Sequence, residues 1–235
     1  MKVSRGPTHA QALKALRRHA DPKKAATYRG FFKNSKNDIF LGVTTPQMRE
    51  VSKAFRGLAF PDLRKLMASR VHEERSLAHA VLVWRYAKAD EPGKKRIFDF
   101  YLANRRFIHD WDGVDDSAPY LVGPHLLRRS RKVLFQLAKS KSLWDRRIAI
   151  VSTWWFIRQG DVADTFRLAQ KLLKDEQDLI HKAVGWMLRE AGKRDLGRLK
   201  GFLEKNALKM PRTMLRYAIE KFPEKERKRW LSKTE

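Results

Sequence analysis

At 235 residues the chain is long enough for one domain with a sizeable core, or for two small ones. It has no cysteine, which excludes disulfides and cysteine-ligated metal sites, and no apolar run approaches the roughly 18 residues of a membrane span. Its 52 lysines and arginines against 26 acidic residues give a net charge of +26, which points to a polyanionic partner, nucleic acid ahead of a ribosome-associated or membrane-surface role.

The first ten residues are short, mixed and polar, so no signal peptide is expected. Asp21-Pro22 and Thr45-Pro46 read as helix starts, the second with Thr45 as cap and Pro46 in the first turn. The lysine-studded stretch from Phe31 to Asp38 reads as a surface loop. Leu63, Leu66 and Met67, then Leu77, Val81 and Leu82, fall at helical spacing. Glu91-Pro92-Gly93 punctuates. A helix over 106–115 would put Phe107, Ile108, Trp111, Val114 and Asp115 on one side, with Asp110 and Asp112 facing away. Gly123-Pro124 reads as a helix break. Trp144, Ile148, Val151 and Trp155 form one apolar stripe, and Ile180, Ala183, Val184, Met187, Leu188 and Ala191 another. Residues 224–235 read as a charged tail that frays. No convincing run of strand alternation appears. Paired helices with short connections predict an all-α fold, a HEAT-like helical-repeat solenoid, with an irregular bundle as the alternative. No linker divides the chain, so residues 1–235 are expected to form one domain.

Three places stand out chemically. Residues 110–116 hold four aspartates and no base, while His125 to Ile150 hold eight lysines and arginines against Asp145 alone. Carboxylates repel phosphates, so an acidic island in so basic a chain makes sense if something cationic must be recognised within a polyanion. Asp115 lies one helical turn from Trp111, and together they offer a π face and a negative charge. Alternatively, Asp115 or Asp116 caps the following helix. Trp186 lies off its helix's apolar stripe among Lys182, Arg189 and Lys193. It calls either for a base or sugar to cover it or for a further helix. Arg147, at the edge of the Trp144 stripe, can bridge a carboxylate, grip a phosphate or belong to a solvated face. The seven histidines show no metal-ligand spacing.

Trp111-Asp112-Gly113-Val114-Asp115, Trp144-x-x-Arg147-x-Ala149-Ile150 and Lys182-Ala183-Val184-Gly185-Trp186-Met187-Leu188-Arg189-Glu190 resemble the AlkD family of bacterial DNA alkylation repair glycosylases. Tyr28 and Phe40-Leu41-Gly42-Val43-Thr44-Thr45-Pro46 are similar to its N-terminal segment, and the blocks keep the family's order from about residue 10 to 222. The resemblance implies a HEAT-like solenoid whose concave basic face holds duplex DNA, and hydrolysis of the N-glycosidic bond of cationic alkylated purines such as 3-methyladenine and 7-methylguanine. It places Asp115, Trp111 and Trp186 in the catalytic cleft, and Arg147 and Tyr28 near the DNA. Lys182 and Arg189, flanking Trp186, are expected to bind DNA too. It implies a bacterial cytoplasmic, nucleoid-associated setting; no cofactor and no metal are expected, and a monomer is the default. His109-Asp110 departs from the bulky residues common before Trp111. The rival reading is a non-catalytic helical-repeat scaffold for nucleic acid or protein, which has no need of Asp115 beside Trp111.

Overall fold

The computed structural model describes residues 6–32 and 37–232. The chain divides into two compact units, Met1–Ser117 and Ala118–Glu235. Among the described residues there is no strand, only an isolated parallel bridge between Ile39 and Val71, and the fold is all-α, as the periodicity predicts. No helix among these residues is long and apolar enough to cross a membrane.

The first unit contains α1 (His9–Arg17), α2 (Pro22–Arg29), α3 (Thr45–Ala54), α4 (Phe60–Met67), α5 (His72–Lys88), α6 (Glu91–Asn104) and α7 (Trp111–Asp115). Side-chain caps set several starts. Thr8 pairs reciprocally with Gln11 at α1, and Asp21 accepts from the N–H groups of Lys23 and Lys24 at α2. The cap of α3 is Thr44 rather than Thr45, because its N–H and hydroxyl both reach Gln47 Oε1, at 2.9 and 2.8 Å. Asp90 caps α6 through the Gly93 N–H. The helices α3, α4, α6 and α7 pack on α5, around fully buried Leu58, Leu63, Leu66, Leu77, Val81, Leu82 and Tyr101.

Glu73, in the first turn of α5, is buried and accepts from three consecutive backbone N–H groups, those of Leu41, Gly42 and Val43. This charge-assisted cradle fixes the segment between Ile39 and α3. Gly42 sits there at φ 82°, and a Cβ would come within 2.2 Å of the Asp21 carbonyl, so only glycine fits. The loop from Phe31 to Asp38 is not wholly a surface connection: Asp38 is buried and Phe32 stacks on other rings. Residues 33–36 lie outside the described residues.

The second unit contains α8 (Ala118–Leu126), α9 (Lys132–Leu137), α10 (Leu143–Val151), α11 (Thr153–Arg158), α12 (Ala163–Lys171), α13 (Asp178–Gly192), α14 (Leu196–Asn206), α15 (Arg212–Ala218) and α16 (Glu224–Ser232). The long stripe ending in Trp155 is split between α10 and α11 at Ser152. There the hydroxyl bonds back to the Ile148 carbonyl at 2.6 Å, a geometry that bends helices. Gly123-Pro124 does not end a helix, for α8 runs through it. The segment is apolar and buried on several sides, and α8 packs closely on α11, which offsets the one backbone bond that proline removes. Residues 224–232 form α16, anchored by buried Trp230, instead of fraying; 233–235 lie outside the described residues.

Two glycines in this unit let helices pack directly against a neighbour's backbone. A Cβ on Gly123 would lie 2.6 Å from both the Ser152 carbonyl oxygen and Trp155 Cβ. One on Gly185 would lie 2.5 Å from the Met214 carbonyl oxygen and Tyr217 Cβ. In each pair one obstacle is backbone and the other a Cβ, so neither can swing aside. Gly123→Ala and Gly185→Ala are each expected to lower stability by about 1–3 kcal/mol through forced separation of helices, read from urea denaturation at neutral pH.

Candidate functional site

The acidic island is built on α7. Its start is set by Asp110, whose Oδ1 accepts from the Gly113 N–H at 3.0 Å. The expected helix over 106–115 therefore does not form. Arg105–Phe107 make a 3-10 turn, Ile108 is extended, and the α-helix begins only at Trp111. Gly113 is required beside the cap, since a Cβ would fall 2.3 Å from Asp110 Oδ1.

Asp110 does not face away, as the longer helix would have it, but is buried. Arg75, 1% exposed on α5, extends Nη2 to Asp110 Oδ2 at 2.7 Å and to Asp38 Oδ2 at 2.5 Å. It also donates to the Ser69 carbonyl at 2.9 Å. His72, at the start of α5, lies with Nε2 2.9 Å from Asp112 Oδ2 and Nδ1 3.4 Å from Asp110 Oδ2. Burial opposes a charge on His72, but the contacts with Asp110 and Asp112 together outweigh it and raise its pKa to about 10. Burial likewise opposes charge on Asp110, yet His72 and Arg75 hold its carboxyl well below the usual range. Burial pushes the Asp112 carboxyl up, against the pull of His72. His79, fully enclosed, is pushed down to about 4 by burial.

Asp38, His72 and Asp110 bring potential ligand atoms within 4.8 Å of one another. The guanidinium of Arg75 already bridges the two carboxylates of that group, and a divalent ion there would have to displace it.

Trp111 is half-buried and stacks on Phe32, with ring centroids 5.1 Å apart and planes 7° from parallel. Its indole Nε1–H points to the Phe31 carbonyl at 3.4 Å. Phe32 also meets His72 at 4.6 Å, and His72 meets Phe40 at 4.9 Å, so four rings run in series from Phe40 to Trp111. Asp115 is the last residue of α7, one turn beyond Trp111, and is half-buried. Asp116 follows as the C-cap of α7, its N–H bonded to the carbonyls of Asp112 and Val114. Asp116 is itself exposed; its carboxyl is raised to about 6 by partial desolvation at the chain beneath it and by the neighbouring charges of Asp112, Asp115 and Asp110. Tyr28 is half-buried on α2.

The remaining expected residues belong to the second unit. Trp186 is half-buried on α13, beside Gly185 and off the buried stripe of Ile180, Val184 and Met187. Lys182 pairs with Asp178 at 2.8 Å. Arg189 pairs with Glu190 and Glu220. Arg147 is not on a solvated face: it is 5% exposed and donates to the Leu179 carbonyl at 2.5 Å, tying α10 to the first turn of α13.

Sequence reasoning missed His72, Arg75, Asp38 and Phe32. The one available signal is the cluster His72-Glu73-Glu74-Arg75 at the head of α5, where four ionisable residues in succession cover every side of the helix and the core-facing ones must find partners. All four are buried.

These features define an all-α helical-repeat protein in which a short helix presents an aromatic residue and a carboxylate one turn apart. Residues 12–222 match the family model for DNA alkylation repair enzymes, and the chain belongs to that family. Its fold is similar to that of a predicted DNA alkylation repair enzyme from Enterococcus faecalis, with a TM-score of 0.69 at 14% identity over 88% of this chain and 98% of that one. Comparison with curated proteins finds no match.

Two outcomes follow from the buried charges. Arg75→Met leaves Asp38 and Asp110 facing each other without their shared cation and is expected to cost about 3–5 kcal/mol, measured by urea denaturation. The raised pKa of His72 means its contribution to stability is fully present below the ordinary value of 6.5 and is lost as pH rises from there through about 10. Stability measured from pH 6.5 to 10 should fall more steeply in the wild type than in His72→Gln; parallel curves would show that His72 is not charged in the folded protein.

Proposed function

We propose that this protein is a DNA glycosylase that hydrolyses the N-glycosidic bond of cationic alkylated purines in duplex DNA, as the opening step of base excision repair. Membership of the DNA alkylation repair enzyme family supports the substrate class. The observation that carries the enzymatic reading is Asp115 one turn from Trp111 on α7, a carboxylate beside a π face. Asp110 and Asp112, paired with Arg75 and His72, build the short helix that presents them, and a scaffold has no need of that juxtaposition.

An N-alkylated purine carries a positive charge and leaves without being protonated. The C1′–N bond breaks, the base takes the electron pair and departs neutral, and the sugar becomes an oxocarbenium ion. Asp115 would stabilise that cation electrostatically and orient water. The water oxygen bonds to C1′, and its proton passes to Asp115 or to solvent. Trp111 and Trp186 would lie against the deoxyribose and the charged base, where their π faces attract a cation. The role of Trp186 rests on the resemblance and on its place off the buried stripe of α13. Tyr28, Lys182 and Arg189 would contact the DNA backbone; on the resemblance Arg147 would too, and because it is 5% exposed and bonded to the Leu179 carbonyl that contact requires its guanidinium to move outward. For Lys182 and Arg189 this means that phosphates compete with the carboxylates they now hold, and the high positive charge makes binding steeply salt-dependent.

Base release from methylated duplex DNA tests the reading. Wild type should free 3-methyladenine or 7-methylguanine, and Asp115→Asn should slow release by about a hundredfold or more, the scale for loss of a transition-state charge contact. No release by the wild type refutes the activity; a fully active Asp115→Asn refutes the role of Asp115. Trp186→Ala should reduce lesion processing more than binding to undamaged duplex, and equal losses would leave Trp186 a structural residue.

A further inference from the structure

We propose that His72 is a positioning residue for this site: its imidazolium clamps the cap of α7 to the first turn of the same helix and seats the ring on which Trp111 rests. The effect on rate rests on the glycosylase reading; the geometry does not.

His72 Nε2 lies 2.9 Å from Asp112 Oδ2, and Nδ1 lies 3.4 Å from Asp110 Oδ2, an ion-pair distance without hydrogen-bond geometry. A neutral imidazole would set an uncharged ring, with one nitrogen lone pair exposed, between two carboxylates. Only the imidazolium places positive charge against both. Asp110 and Asp112 flank Trp111 in sequence, so this one ring grips the chain on either side of the indole. The same ring touches Phe32 at 4.6 Å, and Phe32 lies parallel to Trp111. The cap, the first turn and the ring beneath the indole thus meet on a single side chain.

Asp110 already has a cation in Arg75 at 2.7 Å, shared with Asp38, so its pairing does not depend on His72 alone. What His72 adds is the link from Asp110 to Asp112 and to the aromatic series. The charged surroundings favour the protonated ring. Asp110, Asp112 and Asp116 face it from α7 and its flanks, and Asp38 lies beyond Arg75 with His109 3.3 Å from it. From α5 come Arg75 and the buried His79. A purely core-filling histidine would need none of this arrangement, and an apolar residue would suit the space between Phe32 and Phe40 better.

The test uses the full chain and His72→Gln, with three readouts: the single-turnover rate of 7-methylguanine release from methylated duplex at saturating protein, the Kd for undamaged duplex, and the ring carbon–proton NMR resonances of Trp111, assigned with Trp111→Phe. The expected result is a rate at least tenfold lower, a Kd within twofold of wild type, and displaced Trp111 resonances in a protein of unchanged helix content. Pairing His72→Gln with Asp112→Asn removes the carboxylate charge that the neutral amide leaves uncompensated while keeping an amide-to-carbonyl hydrogen bond, and should bring the rate and the resonances part of the way back. A rate within twofold of wild type overturns the proposal, as does a loss shared equally by duplex binding with Trp111 unmoved. If His72→Gln does not fold, wild-type titration decides: the Trp111 resonances should follow deprotonation of the His72 ring at alkaline pH, and resonances that stay in place while it deprotonates overturn the clamp. If the wild type releases no base, the glycosylase reading falls, and the Trp111 resonances still judge the clamp.

Discussion

A single buried guanidinium, Arg75 between Asp38 and Asp110, is the interaction on which the chemistry of the first unit depends. It joins three distant stretches of chain: the segment before α3, the first turn of α5 and the cap of α7. Desolvating a charge is costly unless every partner is in place, so the three stretches assemble together. Asp110 then serves twice, as ion-pair partner through one oxygen and as helix cap through the other. A helix of five residues is far below the length that sustains itself in water. Its existence follows from that cap and from the aspartates held around it.

Chain length, charge and hydrophobic period made much of the architecture legible in advance. Leu63, Leu66 and Met67 do lie inside α4, Leu77, Val81 and Leu82 inside α5, and the Ile180 to Ala191 stripe inside α13, all buried. The failures share a cause. Phe107, Ile108, Trp111 and Val114 have helical spacing, but Ile108 is buried from an extended segment, and a capping aspartate between them breaks the helix. Gly123-Pro124 looks like a break because local propensity cannot register the packing of α8 on α11. Residues 224–232 look like a solvated tail because one buried tryptophan among charges has little weight in a composition.

The site divides along the same line. As candidates, Trp111 and Asp115 stand out in the sequence because an acidic island is conspicuous in a chain of charge +26 and because residues one turn apart on a helix are neighbours. His72, Arg75 and Asp38 do not, since ion pairs between residues separated by 35 and 37 positions leave no periodic trace. The same separation accounts for the histidines' lack of ligand spacing: His72 finds its carboxylates through the fold, not along the chain.

Phe32 gives Trp111 a property that neither ring has alone. An indole standing in the open is two-sided, and a planar group can slide in against either face. With Phe32 parallel to it on one side, Trp111 becomes a wall. Anything that meets it does so from the opposite face or the edge, and nothing can be sandwiched between the two rings without prising them apart. The site therefore has a front and a back before any ligand arrives. Because Phe32 leans in turn on His72 and Phe40, pressure on that front is passed along a row of rings into the buried head of α5.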